Sequence, residues 1–172
     1  MLKLRSSKKS KITNKKIKIN FATDGSMNPV SHYEDGVYYI GGDVNPYVIV
    51  VRVGSLDCAD ITINPETELL CTNAFENCKK VKKIELPQGI KNISRKAFLG
   101  CSSLECFFVP IIVTNIGELA FSGCTSLSDI SYSGTKAQFD KITKEALWDI
   151  GLNGVNIHCT DGDIYIENDS EQ

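Results

Sequence analysis

The sequence predicts a β-rich solenoid of about three full repeats, preceded by a β cap and followed by a helix and a hairpin. Three observations predict it. The group Ala-Phe-x-x-Cys occurs at 74–78, 97–101 and 120–124, each copy 23 residues after the one before. Apolar positions keep the same period: Cys58, Val81, Leu104 and Leu127 align, then Ile61, Ile84, Phe107 and Ile130, then Ile63, Leu86, Val109 and Tyr132. The composition, 42% hydrophobic and 23% charged over 172 residues, is that of an ordinary folded domain with a core of its own.

Residues 1–20 read as a basic arm. They hold Lys3, Arg5, Lys8, Lys9, Lys11, Lys15, Lys16 and Lys18 and no acid. Out of totals of 19 basic and 21 acidic residues, that leaves 11 against 21 in the rest of the chain, a net of −10. Such an arm is either a tether for nucleic acid or an anionic membrane, or a solvated tail. No aromatic or recognition motif accompanies the lysines, which favours the tail, and a nucleic-acid partner is not expected. No run of seven or so apolar residues follows the positive start, so it does not read as a secretory signal peptide. The longest apolar run, 47–51, is far too short to be a transmembrane segment.

Residues 21–57 lack the period and read as an N-terminal β cap. Asp24-Gly25 and Asp35-Gly36 are turn signals, while 37–40 and 47–53 are rich in β-formers. A cap is needed because an end repeat has no neighbour to bury its apolar face. Residues 58–135 are the repeats. Within each, the alternation of Ile84-x-Leu86 suits a strand with one buried face, and Pro87 or Pro110 marks the strand end. Ile90 with Ile93 starts the return side, and the Ala-Phe pair fills the interior. After Ser133-Gly134 the period fails, and residues 136–172 read as a C-terminal cap and tail. Thr135 and Gln138 fit a capping box, and Phe139, Ile142 and Ala146 share a helical face, predicting a helix of about three turns ending near Trp148. A hairpin turning at Asp161-Gly162 closes the chain.

Seven cysteines cannot all pair within one chain. Cys78, Cys101 and Cys124 occupy one equivalent position, and side chains in a stacked row run parallel without facing each other. They read as buried free thiols behaving as small hydrophobes. No close cysteine pair suits a metal, and no cofactor is expected.

The units Ile84-x-Leu86-Pro87-x-x-Ile90-x-x-Ile93-x-x-x-Ala97-Phe98-x-x-Cys101-x-x-Leu104 resemble the BspA-like leucine-rich-repeat family. The resemblance extends to Gly36-Val37-Tyr38-Tyr39-Ile40-Gly41 with Asn45-Pro46-Tyr47, to 132–138 and to His158-Cys159-Thr160-Asp161-Gly162. Phe139 stands where such endings usually carry Trp. The resemblance implies a right-handed leucine-rich-repeat solenoid, with parallel strands on one face, of a bacterial or bacteriophage-associated protein. It also implies a cell-surface or secreted location and a role in adhesion or protein–protein contact. No catalytic residue belongs to the repeat, so none is carried over.

The strand positions that point away from the core are the natural contact surface of a solenoid. In this register they are Asp60 and Thr62, Lys83 and Glu85, Cys106 and Phe108, and Asp129 and Ser131. Phe107 already takes the buried place, so Phe108 is either exposed or tucked in by a local irregularity. Lys79, Lys80, Lys82, Lys83, Lys91, Arg95 and Lys96 gather in two successive repeats, as one basic patch for an acidic partner or as a solubilising surface. His32 and His158 have no nucleophile motif around them, so a catalytic triad is not expected. Asn92-Ile93-Ser94 and Asn168-Asp169-Ser170 match the glycosylation pattern, which matters only in a eukaryotic secretory setting. The expectation is a non-enzymatic binding module for a protein or glycan ligand. The alternative is a structural or assembly component of a larger particle or surface layer.

Overall fold

The computed structural model describes residues 31–34, 36–41, 47, 49–53, 59, 61–152 and 154–167. The basic arm 1–20, Cys58, Asp60 and the pattern at 168–170 lie outside them. Three antiparallel strands come first: β1 (Ser31–Glu34), β2 (Val37–Ile40) and β3 (Ile49–Val53). Val37 and Tyr39 alternate into the core, whereas β3 departs from strict alternation, burying Ile49, Val50 and Val53 where its register with β2 shifts. β3 then pairs in parallel with β4 (Leu69–Leu70), which joins this meander to the solenoid.

The solenoid winds through about four turns. One face is a parallel ladder of β5 (Lys83–Glu85), β7 (Cys106–Val109), β9 (Asp129–Tyr132) and β11 (Val155–Cys159). The antiparallel β12 (Gly162–Ile166) ends it. The return face carries β6 (Asn92–Ile93), β8 (Asn115–Ile116) and β10 (Thr143–Lys144), also parallel. The register places Ile84, Phe107, Ile130 and Ile157 in one row. All four are buried, so a single layer of apolar side chains runs the length of the ladder.

The Ala-Phe-x-x-Cys groups form the third side. Backbone N–H groups of Phe75 and Phe98 donate to Ala97 O and Ala120 O at 2.8 and 3.0 Å, tying each turn to the next. Phe75, Phe98 and Phe121 stack at 5.1 and 5.7 Å between ring centroids, with Phe107 set edge-on to Phe98 and Phe121. The residue before each Ala-Phe takes positive φ: Asn73 at 61°, Lys96 at 55° and Leu119 at 56°. Four residues on, the same conformation returns at Asn77, Gly100 and Gly123. A Cβ on Gly100 would lie 2.6 Å from Asn77 Oδ1, the end of a side chain that can swing aside, so the positive φ is what favours glycine there.

Cys78, Cys101 and Cys124 are buried and free. Cys101 Sγ donates to Phe75 O at 3.1 Å and Cys124 Sγ to Phe98 O at 3.2 Å, so each thiol stitches its turn to the one before. A hydrogen bond with Cys124, backed by burial, pushes the Cys101 thiol up to about 12. These sulfurs are inert packing groups.

Two sequence expectations change at the C-terminal end. The helix α1 spans only Lys136–Asp140, with the expected capping box at Thr135 and Gln138. It is not three turns long, because the chain returns at Thr143–Lys144 to pair with β8 as β10. Ala146 is exposed in consequence, while Phe139 and Ile142 are buried. Nor does the stack stop where the 23-residue period fails. Leu147 repeats the positive φ of Leu119, at 59°, and Phe121 N–H donates to Trp148 O just as Phe98 N–H donates to Ala120 O. Trp148 therefore takes the alanine place of a further turn, lengthened by the inserted helix.

Candidate functional site

The outward side chains of the ladder fall into two rows fixed by strand register. One holds Lys83, Cys106, Asp129 and Asn156. The other holds Glu85, Phe108, Ser131 and His158. Alternation produces the rows: in each strand the intervening residue is in the core, so its neighbours must face away. Lys83 and Glu85 are exposed, and Cys106, Phe108, Asp129 and Ser131 are half-buried. Thr62 is exposed in the preceding turn, outside any strand, and Asp60 lies outside the described residues.

Phe108 is neither fully exposed nor tucked into the core. Its ring lies flat enough on the face for Lys83 Nζ to sit 4.5 Å above it. The pair presents an aromatic surface roofed by a cation.

The far end of the face holds a group that the 23-residue period did not reveal. His158 Nε2 is 3.0 Å from Asp129 Oδ1, and its Nδ1 is 3.1 Å from Asp163 Oδ1. One imidazole thus bridges β9 and β12 from its place on β11. Hydrogen bonds to Asp129 and then Asp163 raise the imidazole above its ordinary value. Asp129 is held below the usual carboxylate range by Ser128 and then by His158. Both ring nitrogens are directed at carboxylates, which leaves neither to activate a nucleophile. The spacing from Ser131 to His158 is 27 residues, and an alternation search free of the period would have found Asn156 and His158.

The lysines and arginine do not all lie on one side of the coil. Lys82 pairs with Glu105 at 3.0 Å, and Arg95 with Glu118 at 2.8 Å, each one turn down the stack. Lys79, Lys80, Lys82 and Lys83 lead into β5, whereas Lys91, Arg95 and Lys96 flank β6 on the return side. Among the described residues, no group of three or more His, Cys, Asp or Glu could hold a metal ion, and no helix is long and apolar enough to cross a membrane.

A family model described as the BspA type leucine rich repeat region matches residues 54–167 in six copies. The chain belongs to the BspA-type leucine-rich-repeat family. The matched span runs past the three visible repeats into the lengthened turn and the closing hairpin, where the parallel ladder also continues. Two solved structures are similar to this BspA-type chain. One is a leucine rich cell surface protein from Faecalibacterium prausnitzii, 24% identical, with a TM-score of 0.48, covering 68% of this chain and 43% of that one. The other is a leucine-rich repeat protein from Bacteroides ovatus, 29% identical, with a TM-score of 0.43, covering 52% of this chain and 26% of that one. The chain spans less than half the length of either. A comparison with curated proteins gives no match.

Proposed function

We propose that this BspA-type chain is a non-enzymatic binding module at a cell surface, taking a protein or glycan ligand on its outward strand face in an adhesion-type contact. The observation that carries the reading is the pair of registered rows on an uninterrupted four-strand parallel face. Those side chains contribute nothing to the apolar core, yet their spacing is held by the backbone ladder. Phe108 under Lys83 supplies the aromatic and cationic anchor that contact surfaces favour. Family membership supports both the binding role and the surface location.

The test replaces Lys83→Ser and Phe108→Ser together and compares the variant with the parent on a glycan array and against bacterial surface-protein preparations. The expected result is loss of the parent's ligand by tenfold or more, a change of about 1.4 kcal/mol. The melting temperature should fall by no more than about 4 °C. Unchanged capture of the same ligand would rule out this face. A change of oligomeric state without loss of a ligand would instead favour the assembly role.

A further inference from the structure

We draw no further inference here: the strongest candidate, the surface patch at the closing end of the ladder where Tyr165 of β12 stands exposed across from Asn156, continues the outward face already described, and nothing in the structure shows what covers it.

Discussion

His158 couples the closing strands to solvent pH. It sits on β11 with a carboxylate of β9 on one ring nitrogen and a carboxylate of β12 on the other. Its folded value is raised, so its stabilising contribution is complete below the unfolded value of about 6.5 and is lost as pH rises through the folded one. Asp129 runs the opposite way, contributing above its unfolded value and losing that contribution as pH falls through its lowered one. The melting temperature of the parent should therefore exceed that of His158→Gln most clearly at mildly acidic pH, with the gap narrowing through neutral and alkaline pH. An equal gap at both ends of that range, measured by thermal unfolding, would show that the clamp does not depend on the imidazolium. Both partners of the histidine are solvent-accessible, so the effect is a modest one that salt should weaken.

At the scale of single elements, α1 shows how little helix a good start signal guarantees. Thr135 accepts from Gln138 N–H at 3.3 Å and Gln138 Oε1 from Thr135 N–H at 2.8 Å, so the capping box is complete. The helix nevertheless ends after five residues. Phe139 and Ile142 are spaced for a helix, but the same spacing lets both point inward while the chain turns to become β10. Lys144 secures the turn, its amine donating to Phe139 O at 2.8 Å and Ile142 O at 3.2 Å and lying 4.5 Å above the Phe139 ring. Replacing Thr135→Ala should cost about 1 kcal/mol, the usual worth of an N-cap, read as a lower midpoint in urea with unchanged slope. A change in slope would mean that the cap governs more than this one turn.

For the whole molecule, the stack is only as cooperative as its junctions. Turns two to four share backbone ladders on both strand faces, whereas the first meets the second through the Ala-Phe side and the bond from Ser94 Oγ to Leu70 O at 2.6 Å. In a solenoid, stability is a sum of repeat and interface terms, so a thin interface marks where opening begins. Hydrogen exchange should release the amides of 61–70 well before those of 106–109 and 129–132. Simultaneous exchange across both groups would show that the junction is as strong as the rest.

The period of 23 residues carried most of the fold into view, because each core position recurs with the same chemistry and burial is dictated by alternation. From it follow the strand ladder, the inert cysteines and the outward places of Lys83, Glu85, Cys106, Phe108, Asp129 and Ser131. Three things needed the tertiary structure. The last turn was hidden since an inserted helix lengthens it and Trp148 replaces the alanine, which breaks the repeat in sequence while preserving it in space. The bridge of His158 between Asp129 and Asp163 joins residues 29 and 5 positions apart, a meeting set by strand register alone. The tie of Tyr39 to the first turn, its hydroxyl donating to Thr62 O and accepting from Asn64 N–H, likewise joins residues 23 and 25 positions apart that no local pattern pairs.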